Sequence, residues 1–122
     1  LTRRRQQVGR AGEEAARSYL QRRGYRVAEA NFRSPYGEID LIAYQGSTLV
    51  FIEVRTRTGS SFGIPAESVT PEKLNRLKKT ARFYMQSRFG RELACRFDLI
   101  AVLMDRKSMA LNSLRHYRGI IG

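Results

Sequence analysis

The chain is short of acid. It holds eleven Asp and Glu against twenty-three Lys and Arg in 122 residues, for a formal net charge of +12 and a pI near 10.8. Such an excess on a small protein repels itself unless a polyanion or counterions offset it. Nucleic acid is therefore the leading partner class, with an anionic membrane surface as its rival and a merely solvated charged face as the plain alternative. The basic residues are scattered, at Arg3 to Arg5, Arg22 and Arg23, Lys78 and Lys79, and Arg106 and Lys107, and no tail is long enough to act as a disordered basic arm. Cysteine is scarcer still. The single Cys95 excludes an internal disulfide and a thiolate metal site, and makes a reducing, cytoplasmic setting the default. No apolar run approaches the roughly 18 residues that span a bilayer. The basic start LTRRRQQVGR is not followed by the apolar stretch of a secretory signal, so no membrane association is expected. The glycines lack the spacing of a phosphate-cradling loop, and there is no internal repeat or linker.

What is present fits one domain over 1–122, with a core spanning about 7–104 and every element sharing it; 42% of the residues are apolar. Val8, Ala11, Gly12, Ala15, Ala16, Tyr19 and Leu20 recur at helical spacing, predicting a helix from about Gln7 to Arg23 that stops at Gly24. Helical phase puts Glu13 at the edge of that apolar stripe and Glu14 further toward solvent. A first strand is expected at about Tyr25 to Phe32, followed by a turn at SPYG. Residues 38–44 alternate as a second strand, with Ile39, Leu41 and Ala43 on one face and Glu38, Asp40, Ile42 and Tyr44 on the other. After the turn QGS, the run TLVFIEVRTR forms a third strand with Leu49, Phe51, Glu53, Arg55 and Arg57 on one face. A loop covers 59–65. Thr70 and Pro71 then start a second helix that runs to about Phe89, with Leu74, Leu77, Ala81, Tyr84 and Met85 buried and Gly90 beyond its end. RFDLIAVLM makes a fourth strand, and the tail from Asp105 holds a short polar turn and one further candidate strand, LNSLRHY, outside the core order. The class is α/β, a mixed sheet flanked by helices in the order α-β-β-β-α-β.

Asp40 and Glu53 stand out in this pattern. A hairpin in suitable register brings them together, and two half-buried carboxylates repel unless something offsets their charge. A divalent cation bound only by oxygen is one solution, and Mg²⁺ or Mn²⁺ accepts one or two carboxylates with water and phosphate in the remaining positions. Pairing with arginines such as Arg55 and Arg57 is the other. Asp98, early in an apolar strand, reads as an anchor for a backbone group or an arginine. His116, the only histidine, reads as a surface residue.

The segments GRAGEEAARSYLQRRGYRVAEANFRSPYGEIDLIA, LVFIEVRTR, FGIPAESVTPEK and RFDLIAV together resemble the YraN family of small bacterial proteins. That family is similar to archaeal Holliday-junction resolvases and to restriction-endonuclease-like nucleases with the PD-(D/E)xK motif. The resemblance implies a restriction-endonuclease-like core in which Asp40 is the first metal ligand, Glu53 the second, and Glu13 the helix-borne acid that completes the site. It further implies Mg²⁺ or Mn²⁺ as cofactor, and hydrolysis of DNA, branched or damaged, by a cation that activates water. The motif's third residue is normally lysine, two positions after the second acid; here it is Arg55. A guanidinium holds phosphate but stays charged and cannot act as a base. Lys73 or Lys78, flanking the second helix, would be the substitute. Arg10, Arg17, Arg57 and Lys73 are the expected guides for the DNA backbone. The resolvases act as dimers, which raises a homodimer here, although no stretch of the sequence marks a self-complementary surface. Two further readings stand beside the nuclease: a DNA-binding protein that kept the fold and lost efficient chemistry, and an adaptor in DNA repair or recombination.

Overall fold

The computed structural model describes residues 2–59 and 70–121. Seven elements follow in chain order: α1 (Thr2–Arg22), β1 (Arg26–Ser34), β2 (Gly37–Gln45), β3 (Thr48–Thr58), α2 (Pro71–Phe89), β4 (Cys95–Met104) and β5 (Leu111–Tyr117). The loop predicted over 59–65 lies almost wholly outside the described residues. The strands form one open five-stranded sheet in the order β1-β2-β3-β4-β5. Its pairs are antiparallel except β3 and β4, which run parallel and are joined through α2, since parallel neighbours require a crossover.

Local chemistry accounts for the helix ends. The Thr70 hydroxyl accepts a hydrogen bond from the Lys73 N–H at 3.2 Å, Pro71 occupies the first turn, and Gly90 closes α2 in the left-handed conformation at φ 71°. Gly24 stops α1 in the same way at φ 87°. The start of α1 differs from the expectation: the helix begins at Thr2, several residues before the apolar stripe. Its first turn carries cations, which the helix dipole disfavours, and the Arg4 guanidinium donates to the Arg106 carbonyl beyond β4.

The core is two layers, not the single shared one expected. Leu41, Ala43, Val50, Ile52, Ile100, Val102 and Met104 pack against Ala16 and Leu20 of α1. Ile39, Ile42, Leu49 and Phe51 pack against Leu77, Ala81, Tyr84 and Met85 of α2. A sheet covered on both faces divides its apolar side chains in this way. Leu74, expected to be buried, is half-buried, and fully buried Thr80 joins the α2 stripe, its hydroxyl donating to the Arg76 carbonyl at 2.8 Å. Helix α1 lies so close to β3 that a Cβ at Gly12 would stand 1.9 Å from Thr56 Oγ1.

The predicted alternation of β2 fails at one point. Ile39 packs on the α2 face, with Ile42, and Leu41 packs on the α1 face. Their partners on β1 change with them, since Phe32 opposite Ile39 joins the α2 layer. The regular pairing omits the level between Ala30↔Leu41 and Phe32↔Ile39, where Asn31 adopts a positive φ of 54° opposite Asp40. Asn tolerates that left-handed geometry better than most residues. The β1–β2 pairing also carries a register shift between Val27 and Glu29, so β1 is irregular at two points, and Asp40 stands at the second, between the Leu41 and Ile39 levels.

Candidate functional site

The β2–β3 ladder extends from Gln45↔Thr48 to Leu41↔Ile52. Beyond that level β2 stays with β1 and β3 stays with β4, so the two strands part. Asp40 stands where they separate, half-buried, and its Oδ2 accepts the Val54 N–H at 2.7 Å. A carboxylate therefore takes the place of a neighbouring strand for that donor.

Burial pushes the Asp40 carboxyl up, the Val54 N–H opposes this, and the charges of Glu53, Glu13 and Glu38 add to the rise, bringing it from 3.8 to about 7. Glu53 is also raised, first by burial; Arg55, Lys73 and Arg76 pull it back and Glu38 adds to the rise. Asp40 thus senses acids from three elements, α1, β2 and β3.

Two grooves flank this point. On the α2 side, a cavity of about 640 Å³ is lined by Glu38 and Glu53 together with Arg33, Arg55, Lys73 and Arg76. On the α1 side, one of about 670 Å³ is lined by Glu13 with Arg4, Arg5, Arg57 and Arg106. Asp40 itself lines neither groove; Glu53 in the α2-side groove and Glu13 in the α1-side groove both act on it through their charge. Glu14 is exposed, as its helical phase predicted. Lys73 enters the groove beside Glu53 and Arg55, while Lys78 does not line it. Arg57 lines the α1-side groove; Arg10 and Arg17 line neither. Glu38 pairs with Arg33 at 3.4 Å across two exposed side chains, a contact that contributes little to stability.

Sequence reasoning missed Arg76, Arg33, Arg4, Arg5 and Arg106. Arg76 had a usable signal, because it follows Lys73 by three positions and so shares its helix flank. The others are gathered by the way α1 and the β1–β2 turn pack on the sheet.

The donor set suits a hard cation. Every candidate ligand is a carboxylate, and burial first, with the charges of neighbouring acids adding to it, raises the Asp40 carboxyl, a cost that Mg²⁺ or Mn²⁺ would relieve. Among the described residues no three His, Cys, Asp or Glu side chains are arranged to hold one ion together. Asp40 and Glu53 with water and phosphate oxygens are a set that Mg²⁺ accepts.

Asp98 and His116 belong to a separate cluster. Fully buried Asp98 accepts from Arg96 Nε at 2.9 Å, from the Gly119 N–H at 3.0 Å and from His116 Nε2 at 2.8 Å. His116 Nδ1 shares a hydrogen bond with the Tyr19 hydroxyl at 3.0 Å. Asp98 is the anchor expected. His116 is not the surface residue expected: its side chain is only 7% exposed, because the buried carboxylate of Asp98 and the ring of Tyr19 enclose it.

The model of the family described as "Uncharacterised protein family UPF0102" matches residues 12–102. A UPF0102 protein of Moorella thermoacetica is 50% identical over 107 residues, covering 88% of each chain. One of Chlorobium limicola is 49% identical over 98 residues, covering 80% of this chain and 76% of the relative. One of Dictyoglomus turgidum is 41% identical over 106 residues, covering 87% of this chain and 90% of the relative.

Proposed function

The chain belongs to the UPF0102 (YraN) family, and on that footing we propose that it is a metal-dependent, endonuclease-like protein acting on DNA, branched or damaged. The observation that carries the proposal is Asp40. Its carboxyl is raised to about 7 by burial and by three other acids, beside a groove otherwise rich in cations. Ionising this half-buried carboxyl carries an electrostatic cost that a bound cation would relieve.

In this reading Asp40 and Glu53 hold Mg²⁺ or Mn²⁺, with Glu13 approaching from the α1 side. The bound ion would supply a water of lowered pKa and charge stabilisation for phosphodiester hydrolysis. The Val54 N–H fixes the Asp40 carboxylate through Oδ2, leaving Oδ1 to turn toward a ligand. Arg55 and Arg76 hold the scissile phosphate. Lys73, in the same groove, supplies the ammonium that the resemblance expects at position 55, as a compact charge on a flexible stem. Arg57, with Arg4 and Arg5, guides the backbone along the α1 side.

The test is cleavage of duplex, flapped and four-way-junction DNA with Mg²⁺, with Mn²⁺ and with EDTA. Cleavage is expected with a divalent cation only, and Asp40→Asn is expected to abolish it. Equal cleavage by that variant would overturn the assignment. Arg55 favours one second reading, a DNA-binding protein without chemistry, for which binding would fall steeply with salt and no divalent-dependent cut would appear.

A further inference from the structure

Among the described residues, Tyr36 and Phe83 are large hydrophobic side chains left exposed, at 50% and 37%. They come from different elements. Tyr36 tips the turn between β1 and β2, Phe83 sits on the outer side of α2, and their rings meet edge to face with centroids 6.1 Å apart. Both are held from behind. Phe83 rests on Phe32 at 6.3 Å, and Phe32 packs on buried Tyr84 at 5.0 Å. The Tyr36 N–H donates to Ser34 Oγ at 3.0 Å, which fixes the tip of the turn.

The surroundings identify what such a pair would hold. With Lys79, Arg82 and Gln86 the two rings border a cavity of about 510 Å³. Arg82 is shared with Glu92 at 3.6 Å, both side chains being exposed. Tyr36 also lines the groove that contains Glu53, Arg55 and Lys73, so the aromatic site and the acidic groove share a wall. Exposed rings beside ammonium and guanidinium groups match a ligand that is flat and apolar at one end and anionic at the other. An unpaired nucleotide has that form, whereas a base inside a duplex is already stacked and cannot present its face.

We propose that Tyr36 and Phe83 form a stacking platform for one unpaired base, with Lys79 and Arg82 on its flanking phosphates. DNA would then enter the acidic groove next to a single-stranded segment. This rests on the DNA reading above and names the substrate class as DNA with an unpaired stretch beside the groove.

The test is binding in EDTA, where cleavage plays no part, of a single-stranded oligonucleotide, a flapped duplex and a fully paired duplex. Tyr36→Ala is expected to weaken binding of the single strand and the flap by about tenfold and to leave the duplex and the salt dependence unchanged. Tyr36→Phe, which keeps the ring, is expected to behave as wild type. Equal weakening on all three DNAs, or none on any, would overturn the platform and leave the nuclease reading standing. Loss of self-association or of a protein complex in Tyr36→Ala, with DNA binding intact, would assign the face to a protein and likewise overturn it. A wild-type protein that binds none of the three DNAs at low salt would remove both readings.

Discussion

Replacing Asp40 by Asn should stabilise the metal-free protein at alkaline pH and not at acid pH. Near pH 4 the wild-type carboxyl is largely protonated in the folded chain and incurs little burial penalty. As pH rises, the unfolded chain releases the proton near 3.8 while the folded chain retains it to about 7, so stability falls across that window and then levels off. The span from 3.8 to about 7, at about 1.4 kcal/mol per pH unit, sets a ceiling of about 4 kcal/mol. Partial solvation of a half-buried group reduces the expected loss to about 2–4 kcal/mol. Asparagine carries no charge and its Oδ1 can still accept the Val54 N–H, so it avoids the penalty and keeps the contact. The assay is urea denaturation of both proteins in EDTA from about pH 4 to about pH 8. Other groups titrate over this range, Glu53 among them, so the quantity to follow is the gap between variant and wild type. It should be small near pH 4 and grow to about 2–4 kcal/mol in favour of Asn by pH 8. Added Mg²⁺ should then close the gap by stabilising the wild type alone. A gap that stays flat, or that favours Asp40 at pH 8 in EDTA, would refute the account of a carboxylate held at electrostatic cost.

Gly12→Ala should destabilise the protein by about 1–3 kcal/mol in thermal denaturation, because the new Cβ would meet Thr56 Oγ1 at 1.9 Å and Thr56 Cβ at 2.7 Å; adding Thr56→Gly should restore part of the loss, and no loss in the single variant would disprove the close approach. Burial raises the Asp98 carboxyl, but His116, Arg96 and the Gly119 N–H outweigh it and hold it at about 2. Its stabilisation is therefore present above 3.8 and lost as pH falls toward 2. Asp98→Asn should lose about 2–4 kcal/mol at neutral pH and show a flatter acid limb in pH-dependent unfolding, whereas an unchanged acid limb would remove Asp98 as its cause. Lys73→Ala should lower the slope of log K against log salt for DNA binding by about 1 at nearly unchanged thermal stability, and an unchanged slope would take Lys73 off the phosphate.

Much of the fold was legible because its signals are local. Thr70, Pro71 and Gly90 bound α2 through contacts within one turn of chain, and Gly24 ends α1 by its own backbone preference. The apolar runs of β3 and β4 mark interior strands wherever they pair, whereas LNSLRHY is only a candidate strand until its pairing with β4 makes it β5. Asp40 and Glu53 were likewise legible, as half-buried carboxylates on strands and through the YraN resemblance. Asp98 was legible as an anchor, since an acid in an apolar strand needs donors whatever the fold. The sequence by itself thus determined the elements, the mixed α/β class and the list of acids. Only the tertiary structure decided which groups meet. Periodicity assumes an unbroken strand, so it could not register the break in alternation that puts Ile39 on the α2 face and Leu41 on the α1 face, or the parting of β2 from β3 beyond Leu41. His116 is buried by partners on β4 and α1, and Lys73 and Arg76 reach Glu53 from a helix that begins well beyond β3 in sequence. Those contacts depend on pairing register, strand divergence and helix docking, which packing between distant segments sets and no spacing along the chain encodes.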